Sequence, residues 1–353
     1  MAADAPARCD IAVVGAGPCG LAAAIEAERA GLRTLTFDRG TLVSGIAGYP
    51  VNLTFFSTAE RIAIADVPFV VAGEKPTRRD ALAYYRMVAT RERVSLRLYE
   101  TVDEVCPVRV DDVPMRGRGW RQDAPGPTRP ARFMVRSRTV PHGEPRLTMA
   151  HAVVVATGYF GRPNLLGVPG EELPHVTHFF REGHDAYDRD VVVVGGGNSA
   201  VDAALELYRS GARVTIVHFR EALDSNVKPW VRPDIEARIR EGSIAARFDV
   251  RVARIAADRV VVRDIRSGTE ESLRADHVYA MTGFLPNTAL LEQLGVPLDP
   301  ATGVPAHDPE TMETSVPGVF IAGVLASGLD ANKIFIENGR GHGALIARRL
   351  SAR

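Results

Sequence analysis

The residues with the plainest chemical meaning in this chain are glycines. Gly15-Ala16-Gly17-Pro18-Cys19-Gly20 follows the unbroken apolar run Ile11-Ala12-Val13-Val14 and leads into a helix-forming stretch over residues 21–30. In that order Gly15 permits a tight turn, Gly17 lets the backbone approach a pyrophosphate, and Gly20 lets the helix pack closely on the strand. The start of the helix offers unpaired N–H groups and a partial positive charge to phosphate. Gly31 stops the helix, and a second strand, Thr34-Leu35-Thr36-Phe37, ends at Asp38. A carboxylate there can accept hydrogen bonds from a ribose 2′-OH, so this turn suits an unphosphorylated adenosine ribose, as in FAD or NAD.

The same pattern returns 180 residues later, with Gly15 matched by Gly195, Gly20 by Ala200, Gly31 by Gly211 and Asp38 by His218. Val191-Val192-Val193-Val194 runs into Gly195-Gly196-Gly197-Asn198-Ser199-Ala200. One such turn is weak evidence, but two in register, each between a strand and a helix, predict two nucleotide sites. At the ribose-reading position of the second, His218 replaces the acid and Arg220 follows. A basic pair welcomes a 2′-phosphate that a carboxylate would repel, which predicts NADPH over NADH. Lys228 and Arg232 are further candidates for a basic rim, although each also suits a solvated surface. Two nucleotides in one chain imply a relay in which NADPH at the second site reduces FAD at the first.

The three cysteines, Cys9, Cys19 and Cys106, are too few and too scattered for a disulfide framework. Without any C-x-x-C pair, a zinc ribbon, a standard dithiol centre and a metal site are not expected. In the first turn of its helix, Cys19 can have its thiolate stabilised by the helix dipole, while a neighbouring pyrophosphate pushes the other way. It equally suits a small apolar filler of a crowded turn. Cys9 and Cys106 read as structural.

The elements that must position these residues follow from length and pattern. A chain of 353 residues, 46% apolar and 24% charged, predicts about two globular domains. Its 43 cations, only three of them Lys (Lys75, Lys228, Lys333), balance 43 anions, which favours neither a nucleic-acid nor a polybasic membrane binder. With no signal-peptide layout and no apolar run near 18 residues, the expectation is a cytoplasmic protein. The predicted fold is α/β, with two Rossmann-like domains of the three-layer ββα type, the NADPH domain inserted in the FAD domain. The predicted boundaries are 1–165 for the first part of the FAD domain, 166–283 for the NADPH domain and 284–353 for the second part of the FAD domain. A β-meander is expected over about 107–150, with a loose loop near 114–131. Ala156-Thr157-Gly158 reads as a tight turn after a buried strand, and Val319-Phe320-Ile321-Ala322-Gly323 as a strand ending in glycine. Residues 333–349 read as a helix interrupted by glycines. If it starts near Asn332-Lys333 and faces the flavin, its dipole and Lys333 would stabilise reduced flavin; otherwise Lys333 is a surface residue. Tyr49, Phe55 and Phe56 are candidates to cover the flavin ring or to fill the core.

On these residues the chain resembles the two-dinucleotide-domain flavoproteins of the thioredoxin reductase-like group. Within them, the turn at 15–20, Tyr49-Pro50, the stretch 52–58, Lys228-Pro229-Trp230 and the stretch 331–340 resemble the bacillithiol disulfide reductase family, the YpdA type. The resemblance implies FAD held by Gly15, Gly17, Pro18, Gly20, Asp38, Asn52, Thr157, Gly158, Gly323 and Lys333. It implies NADPH held by Gly195, Gly197, Asn198, Ser199, Ala200, His218 and Arg220. It further implies a low-molecular-weight disulfide as electron acceptor, a single reactive cysteine falling on Cys19, a bacilliredoxin-like or other redox protein as a further partner, and a homo-oligomer. Gly323 is followed by Val324, where many relatives carry a ribitol-binding Asp, a feature the YpdA type shares. The alternatives are a ferredoxin or flavodoxin reductase and a flavin monooxygenase. The F-x-G-x-x-x-H fingerprint of the monooxygenases is absent before the second glycine turn.

Overall fold

The computed structural model describes residues 6–108, 129–331 and 333–352. Most of the predicted loop near 114–131, and Asn332, lie outside them. The chain divides into two compact units, one of 1–47, 53–162 and 285–353, the other of 48–52 and 163–284.

The first unit opens with β1 (Ala7–Val14), α1 (Pro18–Arg29) and β2 (Thr34–Asp38), followed by the short helices α2 (Ser44–Ala47) and α3 (Ala59–Ile62) and the longer α4 (Arg78–Arg91). Three further strands, β3 (Leu96–Leu98), β4 (Glu100–Pro107) and β5 (Phe133–Thr139), lead to the long β6 (Pro145–Val155). The apolar run of β1 is buried because it lies in the middle of a parallel sheet, between β2 and β6. Strand β6 serves two sheets' worth of pairing. Its first half pairs antiparallel with β5, which pairs in turn with β4, so the predicted meander begins already at Glu100. Its last residues, Val153 to Val155, are central in the parallel layer and end at the Ala156-Thr157-Gly158 turn.

The second unit is built the same way from β7 (Val176–Thr177), β8 (Asp190–Val194), α5 (Asn198–Arg209) and β9 (Arg213–Val217). Then come α6 (Arg232–Arg240), β10 (Ala245–Arg247), β11 (Val250–Ala256), β12 (Arg259–Asp264), β13 (Glu270–Arg274) and β14 (His277–Ala280). The parallel sheet runs β10-β9-β8-β14-β7, and β11, β12 and β13 form an antiparallel layer of their own. Val192, Val194 and Val217 face this layer, while Val191, Val193 and Ile216 face α5 and α6. A parallel sheet between helices and a small antiparallel sheet is the three-layer arrangement expected for the dinucleotide fold.

The chain then returns to the first unit with α7 (Ala289–Gln293), β15 (Val319–Ile321), α8 (Ile336–Gly339) and α9 (His342–Ser351). β15 adds to β6 in parallel. The predicted glycine-interrupted helix is two short helices broken at Arg340-Gly341, and the first begins at Ile336 rather than near Lys333. Among the described residues no helix is long and apolar enough to cross a membrane.

Candidate functional site

In the first unit the glycine turn is bounded by backbone on every side but one. Gly15 has φ +115°, and a Cβ there would lie 2.2 Å from the Ala156 carbonyl oxygen. A Cβ on Gly20 would lie 1.9 Å from the Gly15 oxygen, so α1 and the turn touch directly. Gly17 differs: nothing stands within 4 Å of where its Cβ would be. The helix it begins has Pro18 in its first turn, no acidic residue there and no side-chain cap. By contrast, α4 closes its own N-terminus with a capping box between Thr77 and Asp80. Open space in front of bare helical N–H groups fits a pyrophosphate. Asp38 accepts from the Ala16 N–H at 3.0 Å, the Gly40 N–H at 2.8 Å and the Ser44 hydroxyl at 3.0 Å. Those bonds fix the carboxylate beside the turn, and its remaining lone pairs are available to a ribose.

The Thr157 hydroxyl donates to the Asn287 carbonyl at 3.0 Å, and Gly158 takes φ +66°, which fastens the crossover turn above Gly15. Gly323 and Gly339 close the other flank. A Cβ on either would lie 3.0 Å from the Cys19 sulfur. Cys19 is thus wedged between two segments distant in sequence, and burial pushes its thiol up to about 12. That upward push works against the dipole-stabilised thiolate that the helix start offers. Cys19 is therefore expected to alkylate with iodoacetamide at pH 8 about a thousandfold more slowly than a free exposed thiol. Comparable rates in the native protein would show a thiolate after all.

Two residues here escaped sequence reasoning. The Gly323 N–H donates to Nδ1 of His342 at 3.2 Å, and burial lowers the pKa of that imidazole. A Cβ on Gly343 would lie 2.8 Å from the α1 backbone, so α9 lies directly on the nucleotide helix. The glycines of 333–349 were the signal for the second of these. Lys333 is exposed, 3.8 Å from Asp330, and precedes α8 by three residues, so the helix-start role expected of it is not seen. Asn52, expected with the first glycine turn, groups with the second unit, where its amide donates to Glu206 on α5 at 3.3 Å. Tyr49 likewise groups with the second unit, and Phe56 is exposed on the first.

The second turn resembles the first but carries one methyl more, at Ala200, and has the Asp224 carboxylate 3.3 Å from where a Gly197 Cβ would be. Gly195 has φ +138° and its Cβ would lie 2.4 Å from the Met281 oxygen and 3.2 Å from the Ala200 Cβ. Helix α5 again has no side-chain cap and no acid in its first turn, and Ser199 there is exposed. Asn198 braces the loop beyond: its side chain accepts from the Lys228 N–H at 2.9 Å and donates to the Asn226 carbonyl at 3.1 Å. The expected basic pair is divided. Arg220 is exposed and 2.9 Å from Asp224. His218 is 3% exposed, its ring lying where a Gly196 Cβ would be, and burial lowers its pKa. It is a buried wall of the turn, 3.5 Å from Asp224, and does not stand exposed at the mouth. Lys228 is paired with Asp202 at 2.6 Å, and Arg232 with Glu236 at 2.9 Å.

Comparison with known proteins agrees with this geometry. The family model of the pyridine nucleotide-disulphide oxidoreductases matches residues 12–112 and 144–323. The chain is 42% identical to bacilliredoxin reductase Bdr of Bacillus subtilis (strain 168) over 343 residues, 97% of each protein. It is similar to the solved bacillithiol disulfide reductase Bdr (YpdA) of Bacillus cereus, at TM-score 0.89 and 40% identity, covering 98% of this chain and 99% of that one. The corresponding Staphylococcus aureus structure gives TM-score 0.86 and 35% identity over 98% and 99%. Two nucleotide turns on a duplicated α/β frame and similarity over nearly the whole length lead to one conclusion: the chain belongs to the pyridine nucleotide-disulphide oxidoreductase family and, within it, to the bacillithiol disulfide reductase (Bdr) family.

Proposed function

We propose that this protein is an FAD-containing reductase that uses NADPH to reduce a low-molecular-weight thiol disulfide of the bacillithiol disulfide type. The observation that carries the reading is the pair of glycine turns, each leading into a helix without a side-chain cap, in a chain that caps α4 with its own side chains. We assign FAD to the first unit, where Asp38 is fixed for an unphosphorylated ribose, and NADPH to the second, where His218 stands in its place and Arg220 follows. When bound, the two cofactors supply a two-electron relay whose balance is NADPH + H⁺ + RSSR → NADP⁺ + 2 RSH. The chain's own part is to hold both nucleotides by backbone N–H groups. Cys19 in this reading packs the flavin turn, since a neutral sulfur held between Gly323 and Gly339 is a poor nucleophile. The finer proposals are a cytoplasmic homo-oligomer that serves the small disulfide and a bacilliredoxin-like redox protein; the Bacillus subtilis relative's name supports the last.

Anaerobic reduction of the purified protein with NADPH, followed by bacillithiol disulfide, glutathione disulfide, thioredoxin and a flavodoxin in turn, tests the reading. Reoxidation by bacillithiol disulfide is expected. Failure of every disulfide would overturn it, and fast reoxidation by flavodoxin alone would make the protein a reductase of one-electron carriers. A Cys19→Ala variant is expected to keep its flavin and its turnover; loss of turnover with flavin retained would restore the cysteine to the reaction.

A further inference from the structure

The second unit shows an aromatic residue at the mouth of the nucleotide turn whose purpose the family frame does not state. Phe219, between His218 and Arg220, is 44% exposed. The Arg220 guanidinium lies over its ring at 5.3 Å, and the Arg251 guanidinium at 4.9 Å. Arg251 comes from β11, and backbone bonds on both sides of Phe219 bring it there. The Asp249 N–H donates to the Arg220 carbonyl at 2.9 Å and the Val250 N–H to the His218 carbonyl at 3.2 Å. Val250 and Val252 point into the core, so by strand alternation Arg251 points out, on the side of Phe219.

The charges around it decide which cation is available. Arg247 is held by Glu271, Arg254 and Arg263 by Glu270, and Arg266 by Asp249. Arg220 is committed to Asp224. No carboxylate among the described residues lies within 4.0 Å of Arg251, although the strands beside it carry several. An exposed guanidinium held over a ring, with no carboxylate of the described residues within 4.0 Å, at the end of the ribose-reading strand, is prepared for an anion.

We infer that Arg251, carried on Phe219 beside Arg220, is the second cation of the 2′-phosphate subsite, the part that sequence reasoning assigned to His218. The inference rests on NADPH binding in the second unit. The ring holds both guanidiniums near one place, so less side-chain entropy is lost when they meet a phosphate. Arg220 must release Asp224 to reach the phosphate, whereas Arg251 has nothing to release. Arg251 is therefore the specificity-determining residue of the pair.

Calorimetric titration of the holoenzyme with 2′,5′-ADP and with 5′-ADP tests this without turnover. The wild-type protein is expected to prefer 2′,5′-ADP. Arg251→Ala is expected to weaken 2′,5′-ADP about tenfold, the size of one charge-assisted contact, and to leave 5′-ADP unchanged. Arg251→Lys is expected to fall between the two, since it keeps the charge but not the forked guanidinium. Phe219→Leu is expected to weaken 2′,5′-ADP selectively as well. Unchanged 2′,5′-ADP binding in Arg251→Ala, or equal weakening of both ligands, overturns the inference while the NADPH reading stands. A wild-type protein indifferent to the 2′-phosphate overturns the NADPH reading itself.

Discussion

Replacing Gly20 with Ala is expected to yield protein without flavin and less stable by about 3 kcal/mol or more. The added Cβ would stand 1.9 Å from the Gly15 carbonyl oxygen and 3.3 Å from the Ala156 Cβ. Neither neighbour can yield cheaply. The Gly15 oxygen belongs to a residue at φ +115°, itself pressed against the Ala156 carbonyl, so the methyl must push α1 away from the turn that it serves. Gly17→Ala separates folding from binding. Gly17 has φ −75° and ψ 175°, a conformation any residue adopts, and its Cβ would meet nothing. Its stability is expected to change by less than about 1 kcal/mol. Its flavin affinity is expected to fall by about tenfold or more, because the methyl occupies the approach of the pyrophosphate to the helical N–H groups and costs at least one charge-assisted hydrogen bond. Thermal melting and the visible absorbance of the purified variants measure both. A Gly17→Ala protein that keeps full flavin affinity would show that the open space in front of α1 is not the phosphate site.

How much of this was legible in the sequence depends on whether one segment decides it. The two glycine turns, the strands feeding them and Asp38 were legible because the chemistry is local: one short segment places each residue type at a fixed offset. What long-range packing decides was not legible. The second neighbour of the Cys19 sulfur is Gly339, more than three hundred residues along the chain, and the meeting of α8 with α1 turns a helix-start cysteine into a wedged, half-buried thiol. His218 has the right type and position for a phosphate reader. Its fate is set by Gly196, whose missing side chain leaves room for the ring to fold inward, and by Arg247 and Val250, which bond its backbone on both sides. Arg251 carries no motif at all. Its candidacy comes from pairing between the end of β9 and the start of β11, two segments that no spacing rule connects. The start of the last helix was misplaced because the glycines that mark its interruption are also what lets α9 approach α1, and periodicity does not distinguish a break from a contact.

The second glycine turn supports the other large effect. Gly195→Ala is expected to leave flavin content near the wild-type value and to slow reduction by NADPH by at least about a hundredfold. Two costs add. A non-glycine residue would be forced to φ +138°, and its Cβ would stand 2.4 Å from the Met281 oxygen at the end of β14. The first turn tolerates no methyl at either position, but the second already carries one: Ala200 stands where the first turn has Gly20, and its Cβ would lie 3.2 Å from a Cβ on Gly195. The room that admits Ala200 is therefore used, and a second methyl must displace the turn toward the side on which the phosphates bind. The effect stays local because the second unit has its own cores, on α5 and α6 on one face and on the β11–β13 layer on the other. Dithionite, which needs no nucleotide site, is expected to reduce the flavin of Gly195→Ala at the wild-type rate, while direct titration shows NADPH binding lost. A variant reduced by NADPH as fast as wild type would place the nucleotide elsewhere. A variant that loses its flavin would show that the two turns do not divide the cofactors between them.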